Sequence, residues 1–235
     1  MTINDYAGEN FLCEPPQLTE GATTKLVTLR DLVHISAFVA HSKGWWDPAP
    51  GRLTTSLLFR SELSEAFEEF RKGRLTTYCA DTEHGMKPEG FFVEVTDLAI
   101  RAADTMGRTL AMASSSFAQG YVERFGRTRL DDDRHIATDD LLLEAIGAAG
   151  CEGFEVGPSD EQDSSLATAL AYLNGHVDCW WKRSGNRKEG LNQLGYLIGA
   201  CRSVCAAQGH SLAELALLKS KYNHKRSFRH GNKSC

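Results

Sequence analysis

Thr55-Ser56-Leu57-Leu58-Phe59-Arg60-Ser61-Glu62-Leu63-Ser64-Glu65-Ala66-Phe67-Glu68-Glu69-Phe70-Arg71 is the stretch that decides the fold. It holds no glycine or proline, and Leu58, Ala66, Phe67 and Phe70 recur at intervals that form an apolar stripe on a helix with Gly73 as its stop. Working outward, Thr28 can cap a helix whose stripe is Leu29, Leu32, Ile35 and Val39 and which ends near Gly44, with Asp31 three residues after the cap. Downstream, Pro88 is a suitable first residue for a third helix that turns Phe91, Val95, Leu98, Ala102 and Met106 inward and stops at Gly107. Strand-like alternation is nearly absent, and the six prolines can all sit at ends or in loops. The expectation is an all-α helical bundle.

Past Gly107 the pattern weakens to a helical stretch reaching about Phe125, an acidic turn Asp131-Asp132-Asp133 and a short helix from Thr138 to Ala149. Residues 152–164 are rich in Gly, Ser, Asp and Glu, a composition that cannot bury a core and reads as a linker. Helical pattern then returns over Leu166 to Lys182, Leu191 to Gln208 and Ser211 to Tyr222, the last opened by the capping box Ser211-x-x-Glu214. Phe70-Arg71-Lys72-Gly73 aligns with Trp181-Lys182-Arg183-Ser184-Gly185, and Glu89-Gly90 with Glu189-Gly190. The two halves therefore read as tandem helical repeats, with an N-terminal extension over 1–25, a first half over 26–125, a connecting segment over 126–164 and a second half over 165–235.

A chain of 235 residues with 42% hydrophobic and 24% charged residues has the composition of a soluble globular protein. No stretch approaches the about 18–20 apolar residues of a spanning helix, and Met1-Thr2-Ile3-Asn4-Asp5 lacks the basic and apolar regions of a signal peptide, so a cytoplasmic location and no membrane partner are expected. The seven cysteines, none in a C-x-x-C pair, are expected to be free thiols. A net charge of −5 argues against a surface that wraps nucleic acid. Lys219, Lys221, Lys225, Arg226, Arg229 and Lys233 nevertheless crowd the C-terminus without an acid among them, and subtracting those six charges leaves −11 on the remainder.

Glu62 and Glu65 lie three apart on the second helix, and Glu94 and Asp97 lie three apart on the third. Each pair points two carboxylates one way. Antiparallel packing, which the sixteen residues from Arg74 to Glu89 permit, brings the four together; such anions repel one another, and a hard divalent cation relieves that. All-oxygen ligation favours magnesium, or manganese, over zinc. Glu68 and Glu69 read as solvated neighbours.

Glu62-x-x-Glu65, twenty-eight residues and Glu94-x-x-Asp97 together resemble the metal-binding signature of the all-α MazG-like nucleoside triphosphate pyrophosphohydrolases. His41-Ser42-Lys43-Gly44-Trp45-Trp46-Asp47, Ser61 to Ala66 and Lys87-Pro88-Glu89-Gly90 are similar to that family's text. Lys221-Tyr222-Asn223-x-x-Arg226-x-x-x-His230-Gly231-Asn232-Lys233 resembles its closing motif. The resemblance implies metal-dependent hydrolysis of a nucleoside triphosphate to its monophosphate and pyrophosphate, with Glu62, Glu65, Glu94 and Asp97 as catalytic metal ligands. It implies substrate contacts from His41, Lys43, Trp45, Trp46, Lys221, Tyr222, Asn223, Arg226, Arg229, His230 and Lys233, and a homodimer or an internal pseudo-dimer. Two departures stand out. About a hundred residues separate the third helix from the closing motif, and in the second repeat Leu173, His176, Leu194 and Leu197 stand where Glu62, Glu65, Glu94 and Asp97 stand in the first.

Three other readings compete. A ferritin-like di-iron bundle needs Glu-x-x-His on two helices, and none occurs. P-loop and Rossmann enzymes lack their glycine motifs here. A uracil-restricted, dUTPase-type all-α enzyme shares the fold and chemistry, and a helical interaction protein without activity is the non-enzymatic alternative.

Overall fold

The structure is a computed structural model that describes residues 29–113 and 162–228. Its elements are α1 (Leu29–Ser42), α2 (Arg52–Arg71), a hairpin of β1 (Tyr78–Thr82) and β2 (Gly85–Glu89), α3 (Phe91–Ala113), α4 (Gln162–Arg183), α5 (Arg187–Ala207) and α6 (Leu212–Lys225). The N-terminal extension, the stretch to Phe125, the acidic turn, the short helix 138–149 and most of the linker lie outside the described residues, as do Arg229, His230 and Lys233. Among the described residues no helix is long and apolar enough to cross a membrane, and Cys79, Cys179, Cys201 and Cys205 are free thiols.

Helix α3 is the centre of the fold. Its five expected inward residues are all buried, and so are Phe92, Val93, Ala99, Ala103 and Leu110 around them. A helix apolar on most sides needs neighbours on most sides, and α3 packs against α1, α2, α5 and α6. It does not stop at Gly107. That residue lies in mid-helix, where a Cβ would come within 2.7 Å of the Ala37 Cβ on α1, so the glycine is there for close approach of two helices rather than for termination. Nor does α3 begin at Pro88. Gly90 takes φ +121°, a conformation outside the helical region, so the helix cannot run back through it, and Pro88 instead pairs with Cys79 in the hairpin.

The hairpin is the one departure from an all-helical chain among the described residues. Five-residue strands joined through Glu83-His84 pair Tyr78 with Glu89 and Thr82 with Gly85, and β1 alternates half-buried and exposed side chains. The stripe expected on α2 also needs correction. Its buried positions are Thr55, Ser56, Phe59, Glu62, Leu63, Ala66 and Glu69, while Leu58 is half-buried, Phe67 is exposed and Phe70 only packs against the core's edge. The inward face carries two of the acids, Glu62 and Glu69, while Glu65 and Glu68 are exposed.

In the second half, Asn186 caps α5 by accepting from the Glu189 N–H at 3.2 Å, and Ser211 caps α6 by accepting from the Glu214 N–H at 3.3 Å. Gly190 falls inside the first turn of α5, whereas Gly90 precedes α3, so the two junctions are not superimposable in register. Helices α2 and α3 pack on each other, α4 and α5 do likewise, and the pairs join through α2 on α4 and α3 on α5. Phe59 meets Trp180 edge to face at 5.0 Å, and one continuous apolar cluster runs from Leu32 on α1 to Ala216 on α6. Leu173, Leu194 and Leu197 are all buried in it.

Candidate metal centre and the cleft beside it

Glu62 projects from the middle of α2 and Glu94 from the first turn of α3, and both are almost wholly buried, at 3% and 1% exposure. Glu65 sits one turn further along α2 on the exposed side. One carboxylate oxygen from each of Glu62, Glu65 and Glu94 lies within 4.8 Å of the other two. The register of Glu94 follows from the junction before it: its N–H donates to the Gly90 carbonyl at 3.1 Å, and a Cβ on Gly90 would come within 2.6 Å of the Thr76 carbonyl oxygen.

Asp97 stands beside this group but is held from another direction. Its Oδ2 accepts from Lys219 Nζ on α6 at 2.7 Å; the same ammonium lies 3.7 Å from Glu94 Oε1 and donates to the Pro88 carbonyl at 3.2 Å. Lys219 is 2% exposed. Arg101 pairs with Glu62 from the next turn of α3. Both Glu94 oxygens and Asp97 Oδ1 are buried and accept no hydrogen bond. Leaving buried carboxylate oxygens unsatisfied is costly. Glu94, beside Lys219 and the Glu89 carboxyl, brings two such oxygens to the group it forms with Glu62 and Glu65, and this all-oxygen set fits magnesium or manganese.

The electrostatics say the same. Burial pushes the Glu94 carboxyl up to about 9, with Asp97 adding and Lys219 opposing. Burial likewise raises Glu62 to about 7, opposed by Arg101 and reinforced by Asp97 and Glu65. Lys219 is held above the ordinary lysine value because Asp97 and Glu94 outweigh its own desolvation. Burial is the leading cause at both glutamates, and the neighbouring carboxylates add to it.

From Glu65 and Glu94 a cleft of about 700 Å³ opens between the second half of α2 and the hairpin. Lys72, Arg74 and Lys87 lie along it with Tyr78, among the acids Glu65, Glu68, Glu69, Glu89 and Glu94. The Tyr78 hydroxyl donates to Glu69 at 2.9 Å and accepts from Arg74 at 3.0 Å, and Lys87 pairs with Glu89 at 2.6 Å. Glu69 is therefore a buried member of this network and not the solvated neighbour its position in an acidic run implied.

The other expected residues divide. On α3, Asp97, Arg101, Asp104 and Arg108 follow one another at helical intervals along one face. Asp104 accepts from the Trp46 indole N–H at 2.7 Å, so Trp46 is anchored about 10 Å up the helix from Asp97. The ring of His41 meets Trp46 edge-on at 5.4 Å, Trp45 and Lys43 are half-buried nearby in the chain, and burial lowers the pKa of both His41 and Lys43. None of these four enters the acid cluster.

On α6, Lys221 is exposed, whereas Tyr222 is buried with its hydroxyl 3.1 Å from Thr82 Oγ1 on the hairpin. The Arg226 guanidinium lies over the Tyr222 ring at 5.8 Å and feels Asp97 and Glu62, and Asn223 Oδ1 is buried without a donor. Lys219 is the residue sequence reasoning missed. The signal was present, since Leu212, Leu215, Ala216 and Lys219 continue one helical stripe to which Lys221 does not belong. Comparison of the chain with protein-family models, with curated proteins and with solved structures finds no match.

Proposed function

We propose that this chain is a divalent-metal-dependent nucleoside triphosphate pyrophosphohydrolase, taking a nucleoside triphosphate and water to the monophosphate and pyrophosphate. The observation that carries the reading is the set of buried carboxylate oxygens on Glu94 and Asp97 that accept no hydrogen bond, beside Glu62 and Glu65 and at the head of a cleft where Lys72, Arg74 and Lys87 stand among acids. Glu62, Glu65 and Glu94 would hold magnesium, which supplies Lewis-acid polarisation of a phosphoryl group and a water of lowered pKa. The protein does the positioning. Arg226 from α6 and Lys72, Arg74 and Lys87 from the cleft offer donors to phosphate oxygens. Trp46, fixed through its N–H to Asp104 about two turns beyond Asp97 on α3, would contact the base. The choice of the bond between the α and β phosphates follows from the family resemblance of the acid pairs.

In the same reading the α4–α5 pair is a worn copy of α2–α3 that has exchanged its acids for Leu173, His176, Leu194 and Leu197 and become a scaffold, so that one chain closes a bundle which smaller relatives would close by dimerising. A screen of the eight common ribo- and deoxyribonucleoside triphosphates with magnesium, resolving monophosphate from diphosphate, tests the function. Pyrophosphate with monophosphate is the expected product pair; orthophosphate with diphosphate would contradict it, and no turnover of any nucleotide would favour a helical interaction protein.

A further inference from the structure

Lys219 is an unusual group to find at a metal centre. It reaches in from α6, more than a hundred residues beyond α3 in the chain, and is buried as fully as any apolar core residue. Its ammonium faces Asp97 Oδ2 at 2.7 Å, Glu94 Oε1 at 3.7 Å and the Pro88 carbonyl at 3.2 Å, three acceptors on two elements. Among the described residues, the carboxylates close enough to share one ion are Glu62, Glu65 and Glu94, and Asp97 is not one of them. The fourth acid already has a cation.

We propose that Lys219 is a resident counter-cation that holds Asp97 and limits the nucleotide-free protein to one divalent ion, the second entering only with the triphosphate. The inference rests on the metal-dependent reading above. The carboxylates Glu62, Glu65, Glu94 and Asp97 are offset by Lys219 on Asp97 and Glu94 and by Arg101 on Glu62, and Arg226 also feels Asp97 and Glu62, while Glu89 beside Glu94 is matched by its own partner Lys87. Between one and two negative charges remain, no more than one divalent cation neutralises. A second ion would leave the buried centre positive, which is unfavourable at low effective dielectric unless an anion comes with it. A triphosphate is that anion, and Asp97 Oδ1, buried and accepting no hydrogen bond, is the free oxygen on Asp97 available to the second ion. The helical stripe Leu212, Leu215 and Ala216 turns Lys219 inward, but its partners Asp97 and Glu94 come from a distant helix and are shown only by the fold.

Manganese titration of the full chain, followed by the loss of the free-ion electron paramagnetic resonance signal, tests it without reference to activity. The wild-type protein should bind one ion alone and two in the presence of a non-hydrolysable triphosphate analogue, a comparison that needs no variant. Lys219→Met should bind two ions without nucleotide or hold the first about tenfold more tightly or better, and Lys219→Arg should keep the wild-type count. Circular dichroism of each variant checks that the helices remain. Two ions on the nucleotide-free wild type, or a Lys219→Met variant with wild-type count and affinity, would overturn the proposal while leaving the metal centre standing. No manganese binding by the wild type would remove the metal-dependent reading itself.

Discussion

Glu94 concentrates the chemistry in one side chain, and its burial makes a prediction about stability. In the metal-free folded chain its carboxyl is raised to about 9, while in the unfolded chain it ionises near the ordinary value of about 4.3. Between those two values the folded form binds more protons than the unfolded form, so stability falls as pH rises from about 4.5 to about 9 and levels off above. Glu62, raised to about 7, adds to the same slope over the lower part of the window. With EDTA present, Tm should therefore decline from pH 5 to 9, the decline should shrink in Glu94→Gln, and magnesium should restore most where the decline is greatest. An unchanged slope in Glu94→Gln would refute this account of the cluster. The amide variants also probe function: Glu62→Gln, Glu65→Gln, Glu94→Gln and Asp97→Asn should each cut turnover by about a hundredfold or more, as loss of a charged catalytic element does, with helical content retained. Full activity in Glu65→Gln and Asp97→Asn would sink the metal centre as the catalytic site. At this scale the spacing of the acids was legible, since i and i+3 on a helix is a geometric statement. The role of Lys219 was not, because its meaning comes from a contact across 122 residues of chain with Asp97.

Between residue and fold, the junction of hairpin and helix sets where Glu94 points. Gly90 stands at φ +121° with the Thr76 carbonyl 2.6 Å from where a Cβ would sit. That neighbour is backbone and has no rotamer by which to yield. Gly90→Ala combines a strained conformation with a backbone clash, and the two should cost about 1–3 kcal/mol, a fall of about 2–10 °C in Tm for a chain of this size. Activity should fall further than stability accounts for, because the Glu94 N–H is bonded to the Gly90 carbonyl; wild-type turnover at permissive temperature would separate the hairpin from the site. Most helices were legible as 3.6-residue periods bounded by caps such as Ser211. The differences have physical causes. A rule that seeks apolar faces places the α2 stripe on Leu58, Phe67 and Phe70 and steers away from Glu62 and Glu69, which the buried face carries. Glycine has two uses in helices, and only the proximity of Ala37 decides that Gly107 serves close packing and not termination. The hairpin is not legible because Cys79-Ala80-Asp81-Thr82 is weakly alternating and its pairing partner includes a proline.

For the molecule as a whole the question is what α4, α5 and α6 do for a centre whose carboxylates all come from α2 and α3. They supply the other side of the core: α4 covers α2, α5 and α6 cover α3, and α6 delivers Lys219 and Arg226. Two substitutions separate support from chemistry. Leu194 is buried in the shared cluster, so Leu194→Asp places a carboxylate with no designed partner where a leucine packed, and it should lower Tm outright or prevent folding, with about 3–5 kcal/mol at stake. Arg226→Ala removes a half-buried guanidinium at the rim of the site, and it should raise KM or lower kcat with Tm little changed. A truncated chain ending near residue 150 combines both losses. It would uncover Phe59, which loses the Trp180 ring, together with the side of α3 that meets α5, and burial of Leu173, Leu194 and Leu197 at about 1.5–3 kcal/mol each is comparable to the net stability of a domain. The fragment should therefore aggregate, or associate with a second copy that offers an equivalent apolar face, and sedimentation will tell these apart from a monomer. A monomeric, stable and fully active fragment would refute the scaffold role and make the second half an independent unit. A fragment that dimerises and binds a second manganese ion, or the first more tightly, but loses turnover would instead place the contribution of the second half in Lys219 and Arg226 rather than in the leucines.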